Sequence, residues 1–154
     1  MVSVAAARRI AMACPEAAEG EHMGHPDFRV GGKIFMTLWP ADRHAVVKLP
    51  IADQQALVQM DPEAFSLGGW SHQGWTRVKL ARVNAGQLRL LASAAWRNVA
   101  PKRLLDRLPP VEWSFAASVA SPPDLPRKEG NVPLHARPRR SRAHWEASRR
   151  HQLR

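Results

Sequence analysis

The chain has 154 residues, 13 of them proline and one cysteine, and 23 Lys+Arg against 13 Asp+Glu give a net charge of +10. That length suits one domain of ordinary size with room for an appendage, and it buries a core without disulfide staples. The lone Cys14 excludes an intrachain bridge and a cysteine-built zinc site, while the charge favours a polyanionic partner without naming a function.

In chain order, Ser3 is placed to cap a helix that runs to about Ala13. Val4, Ala7, Ala11 and Cys14 fall on one apolar stripe with Ile10 beside it, and Pro15 closes the helix. Glu16, Glu19 and Glu21 follow as a locally acidic stretch, and strands begin at Phe28. Phe28-Arg29-Val30, Gly31-Gly32 and the run from Lys33 to Trp39 read as a β-hairpin. Its register has two solutions. A two-residue loop sets Phe28 opposite Phe35 and Arg29 opposite Ile34; a three-residue loop reverses that parity and joins Phe28 and Val30 with Ile34 and Met36.

Pro40 and Asp42 turn the chain into a third strand over 44–49. Asp53 is placed to cap a short helix carrying Ala56, Leu57 and Met60, which ends at Asp61-Pro62. Phe65-Ser66-Leu67 predicts a brief strand, and 68–74 a loop. Residues 75–83 predict a strand with Val78 and Leu80 on one face and Trp75, Arg77 and Lys79 on the other. Asn84 caps a long helix whose core stripe is Leu88, Leu91, Ala92, Ala95 and Val99. Pro101 interrupts it, and Lys102-Arg103-Leu104-Leu105 begins a final short helix. This order of elements predicts an α+β fold: a two-layer sandwich whose antiparallel sheet is covered on one face by the terminal helices.

The charge divides the chain. Residues 1–107 hold 14 basic and 9 acidic residues, net +5, and 108–154 hold 9 and 4, again +5 in under half the length. The second part opens with Leu108-Pro109-Pro110 and continues through Pro122-Pro123, Pro126, Pro133 and Pro138, a density that breaks helices and ladders. The expected organisation is a folded domain over 1–107 and a mostly disordered basic tail over 108–154, with room for one short helix over 141–152. Arg8 and Arg9 interrupt the first apolar stretch, so neither a spanning helix nor an ordinary signal peptide is expected, and a cytoplasmic location is.

Several segments then fall into a familiar order: Arg8-Arg9-Ile10-Ala11 with Cys14-Pro15-Glu16; His25-Pro26-Asp27-Phe28-Arg29-Val30 with Gly32-Lys33-Ile34-Phe35; Asp61-Pro62-Glu63-Ala64-Phe65; Gly74-Trp75 with Val78-Lys79-Leu80; and Trp96-Arg97-Asn98-Val99-Ala100-Pro101-Lys102. As an ordered set over residues 3–107, they resemble the MmcQ/YjbR family of small bacterial proteins. The resemblance implies a CyaY/frataxin-like α/β sandwich and a DNA-binding role, through a proposed double-wing arrangement of strands. It brings no catalytic residues, and the tail lies outside it. Fold alone does not fix function.

Among the residues themselves, the strand at Trp75 is the first candidate. Arg77 and Lys79 share its face, Arg82 lies at its end and Lys48 falls on a neighbouring strand. Cations beside an indole suit nucleic acid, because cations pair with phosphates and the ring stacks on an unpaired base. The competing reading is a solvated outer face with Trp75 packed on aliphatic stems. Lys102, Arg103 and Arg107, with Arg97, form a second cluster, which the dipole of the preceding helix also accounts for. The third is the tail's Arg137, Arg139, Arg140, Arg142, Arg149, Arg150 and Arg154, an arm for counterion release or a plain soluble extension.

His22 and His25 near Glu19, Glu21 and Asp27 suggest a metal only weakly, and no metal or cofactor is expected. Cys14 on its apolar stripe reads as an inert thiol, and the Gly31-Gly32 and Gly68-Gly69 pairs as turn material rather than phosphate loops. The leading reading is a non-enzymatic protein that binds DNA, with RNA as the other candidate polyanion, mainly through phosphate contacts at Arg77, Lys79, Arg82, Lys102 and Arg103, with Lys48 and Trp75 in the same nucleic-acid-binding set. The alternative is a protein- or small-ligand-binding adaptor using Trp39, Trp70 and Trp75 to line a groove. An enzyme would require His22, His25 or His72 to meet a carboxylate or Cys14.

Overall fold

The computed structural model describes residues 1–108. Helix α1 spans Val4–Met12, and the Ser3 hydroxyl accepts the Ala6 amide at 3.1 Å, satisfying one of the first-turn donors that have no partner inside the helix. Ala7, Ile10 and Ala11 are its buried side. Strands β1 (Ala18–His22), β2 (His25–Val30), β3 (Lys33–Trp39) and β4 (His44–Lys48) follow, then helix α2 (Ile51–Met60), β5 (Phe65–Leu67), β6 (Trp75–Lys79), helix α3 (Ala85–Val99) and the short α4 (Lys102–Leu105). The six strands form one antiparallel sheet in the order β1-β2-β3-β4-β6-β5. Helices α1 and α3 pack on each other and on β3, and α3 also packs on β4, giving the expected mixed α+β architecture.

Strand β1 is absent from the sequence reading. Ala-Glu-Gly-Glu-His has few residues that favour a pleated surface, so its own pattern is silent. The strand exists because β2 supplies a partner edge and Met23-Gly24 makes a two-residue turn with both φ angles positive, 52° and 79°. That geometry matches the twist of a tight hairpin, normally announced by Asn-Gly or Asp-Gly. The turn places His22 opposite His25, which accounts for their spacing.

The β2–β3 hairpin combines the two registers. Next to the Gly31-Gly32 turn, Val30 pairs with Lys33 and Arg29 with Ile34, as in a two-residue loop. A bulge then shifts the ladder, and Phe28 pairs with Met36 rather than Phe35. One extra residue on β3 lets the consecutive Phe35 and Met36 both be fully buried, which strict alternation forbids.

Two boundaries differ from expectation. Asp53 is not the cap of α2: Pro50 holds that position and Asp53 sits buried in the first turn. Pro50 suits this entry because its fixed φ is compatible with it. Asp61, at the other end, accepts the amides of Glu63 and Ala64 and turns the chain toward β5. Strand β6 stops at Lys79 rather than running to 83, although Leu80 and Val83 remain buried. The Leu80 amide donates to the Arg43 carbonyl, and the Leu80 carbonyl accepts the Val2 amide.

Helix α3 begins with a full capping box, Asn84 and Gln87 each accepting the other's amide. Leu88, Leu91, Ala92, Ala95 and Val99 are all buried as their spacing predicts, joined by Trp96. The Trp96 indole N–H donates to the Pro15 carbonyl at 2.8 Å, tying the exit of α1 to α3. Gly74, at φ 90°, enters β6 where a Cβ would stand 1.9 Å from the Leu49 carbonyl oxygen, so no side chain fits there. The predicted tail lies outside the described residues except for Leu108, which packs against the edge of the core. Among the described residues, no helix is long and apolar enough to cross a membrane.

Candidate functional site

The helices cover one face of the sheet. The other face carries the side chains that alternate away from the core, and the register aligns them in rows across strands. One row pairs Trp39 with His44 and His44 with Lys79, and the His25 ring stacks on Trp39 at 3.6 Å between centroids. The next row pairs Asp27 with Thr37, Thr37 with Val46, Val46 with Arg77, and Arg77 with Ser66. Lys48 pairs with Trp75, and its Nζ lies 5.5 Å from the indole centroid, a cation–π contact.

Lys48, Trp75, Arg77 and Lys79 therefore share this outer face, as predicted. The remaining three predicted residues lie on other elements. Arg82 is in the turn after β6 and pairs with Glu63 at 2.9 Å. Lys102 and Arg103 ride on α4, with Arg103 3.2 Å from Glu16. Among the described residues, Lys48, Arg77 and Lys79 form no ion pair, so their charge on this face is uncompensated by a contacting carboxylate. The buried carboxylate of the face, Asp27, is held by two hydrogen bonds from Arg29, at 2.8 and 2.7 Å. Those bonds raise the guanidinium above its ordinary pKa, with the nearby negative charge adding to the effect. The Asp-x-Arg spacing thus positions a neutral pair on one side of β2.

Three tryptophans meet in a cavity of about 560 Å³ on this face. Trp39, Trp70 and Trp75 line it with His22, His44 and Arg77. Trp39 is its fixed wall: His25 stacks on it, His44 lies 5.4 Å away at 14°, and its indole N–H donates to the Thr37 hydroxyl. His44 is pushed below its ordinary pKa, first by burial and then by Arg77, with Asp42 pulling the other way and His25 adding the smallest push downward. It is accordingly an uncharged imidazole at neutral pH. Trp70 differs in being 68% exposed, on a backbone of φ 63°, at the end of the Gly68-Gly69 loop. The sequence names these indoles as a possible groove; convergence of the β3, β6 and loop residues follows from strand order, which sequence spacing does not contain.

Of the groups an enzyme reading names, His22 lines the cavity. His25 stacks on Trp39, His72 lies beside Gln73 and 6.0 Å from Trp70, and the Cys14 Sγ points at the Ile10 carbonyl. Burial pushes the Cys14 thiol up to about 11, which suppresses its thiolate. Among the described residues, no group of three or more His, Cys, Asp or Glu is placed to hold a metal ion.

Comparison with known proteins places this geometry in context. The model of the family described as YjbR matches residues 12–98, more than half of the chain. A crystal structure of the Deinococcus radiodurans protein DR2400, carrying the DUF419 domain, superposes with a TM-score of 0.59. The two sequences are 18% identical, with 82% of this chain and 94% of that one covered, a likeness of fold. No curated protein matches the chain.

Proposed function

Because this chain belongs to the YjbR family, we propose that it is a non-enzymatic, cytoplasmic DNA-binding protein of bacterial type that grips the phosphate backbone with the outer face of its sheet. The observation that carries this reading is the cluster of Lys48, Arg77 and Lys79 beside Trp75 on one sheet face, with no carboxylate among the described residues ion-paired to them. Cations left free of acidic partners attract a polyanion and release its counterions on contact. Among the described residues the face carries no helix that reaches into a groove, so sequence preference is weak and contact is mainly to phosphate. Arg82, Lys102 and Arg103 contribute at longer range, each on an element outside the sheet. The finer fold assignment, CyaY/frataxin-like, belongs to the same proposal and is supported by α1 and α3 lying together on one face of the antiparallel sheet.

Fluorescence anisotropy with labelled DNA at two salt concentrations tests the reading. Binding that weakens steeply with salt is expected, with a log–log slope of about −0.9 per phosphate contacted. No binding at low salt, or binding indifferent to salt, overturns it. The aromatic cavity favours a second reading, a small-ligand adaptor, because about 560 Å³ lies within the range of small-molecule sites. Saturable binding of a small aromatic ligand without any affinity for DNA would select it.

A further inference from the structure

The cavity on the outer face has a lining that phosphate contact alone does not use. Three indoles line it, while a base within a duplex hides its faces in the stack and offers only edges. A site built to present indoles to a ligand therefore suits a base that has left the stack.

The three indoles have different duties. Trp39 is occupied by His25 and faces His44, and Trp75 has Lys48 near its ring. Trp70 alone of the three stands mostly in solvent, and among the described residues its one ring neighbour is His72, tilted at 47° and 6.0 Å away. Its left-handed backbone is costly for a residue with a Cβ, and the exposed ring recovers little of that cost by packing. The Gly68-Gly69 pair before it lines the same cavity. A Cβ built on Gly68 would lie 3.6 Å from the Arg77 guanidinium, so the loop and the unpaired cation are neighbours at one rim. An apolar ring slot with a free cation at its edge is complementary to a planar base bearing a phosphate.

We propose that this cavity is a site for one unstacked base of single-stranded DNA, with Trp70 as the stacking face and Arg77 as the anchor for the adjoining phosphate. The proposal rests on the DNA-binding reading and makes it specific to strands whose bases are accessible. The test uses the full chain and two labelled probes, a short oligothymidine strand and a hairpin duplex. Trp70→Ala is expected to weaken single-strand binding by about ten- to a hundredfold, the scale of losing one base–aromatic stack, and to leave duplex binding within about twofold. Trp70→Phe, which keeps a ring, restores most of the loss. The Trp70 side chain is exposed, so thermal stability of both variants stays close to that of the parent.

Equal affinity for the two probes, or equal losses on both with Trp70→Ala, overturns the base site while leaving salt-dependent phosphate binding intact. Failure of both probes to bind at low salt overturns the underlying DNA reading instead. Displacement of the strand by free thymidine monophosphate at concentrations similar to the strand's own also overturns the proposal, since the cavity would then be a small-ligand site.

Discussion

The two faces of the sheet are built from the same strands and do opposite things. The helix-covered face buries Phe28, Met36, Leu38, Ala45, Val47 and Val78, with α1 packed on β3 and α3 on β3 and β4. The outer face, one residue out of phase on each strand, carries His25, Thr37, Trp39, Val46, Arg77 and Lys79. Period-two alternation, interrupted by the bulge on β3, separates them, so a single strand presents a packed side and an open side. The difference in chemistry follows from solvent: the covered face tolerates no unpaired polar group, while the outer face leaves its cations open to water. Trp96 and Trp70 show the contrast in one residue type. The first is buried with its N–H satisfied by Pro15, and the second is an exposed ring on strained backbone.

Changes on the covered side are expected to alter stability, and changes on the outer side to alter binding. Trp96→Ala has the largest expected effect: a fully buried ring and the Pro15 hydrogen bond are lost together, at about 3–5 kcal/mol by denaturant unfolding. A loss below about 1 kcal/mol would break the assignment of Trp96 to the core. Gly74→Ala comes next, at about 3 kcal/mol, because the new methyl meets the Leu49 backbone and the residue must hold φ 90°. It is also expected to loosen the loop that carries Trp70, so DNA binding should fall with it.

Arg77→Ala with Lys79→Ala reverses the pattern. Unfolding should change by no more than about 0.5 kcal/mol per site, while the salt slope of DNA binding shrinks by about 1.8 for two lost phosphate contacts. An unchanged slope would move the interface off this face.

The smallest effect is the pH dependence owed to His44. Its folded pKa lies below the ordinary value, so the unfolded chain binds more protons in the interval between them and stability rises with pH there. The contribution is present in full above the ordinary value of about 6.5 and is lost as pH falls toward the folded value, with a slope of at most about 1.4 kcal/mol per pH unit. Replacing His44 with Asn should flatten that part of the stability curve. An unaltered curve would assign the dependence to another group.

How much of this was legible depended on whether a feature is local. The Ser3 and Asn84 caps, the α3 core stripe and the alternation of β6 were read correctly because each depends on neighbours within a turn or a strand. Strand β1 was not readable, because a partner edge rather than its own composition makes it a strand. The bulge that buries both Phe35 and Met36 was equally hidden: either parity was acceptable until the core had to be filled from two sides. Asp53 misled because an aspartate before an apolar run usually caps, whereas Pro50 had already set the helix entry.

The candidate site divides the same way. That Lys48, Trp75, Arg77 and Lys79 share a face was visible from strand periodicity and a guess at adjacency. The fates of Arg82 and Arg103 were not, because Glu63 and Glu16 lie 19 and 87 positions away along the chain and reach them only by folding.

The net charge of +10, the α+β class and the family were determined by the sequence itself, since composition, periodicity and ordered motifs are properties of the linear chain. The tertiary structure alone decided which charges remain unpaired and which rings converge. Both depend on distances across the sheet, and those are set by strand order and register, which local sequence leaves open.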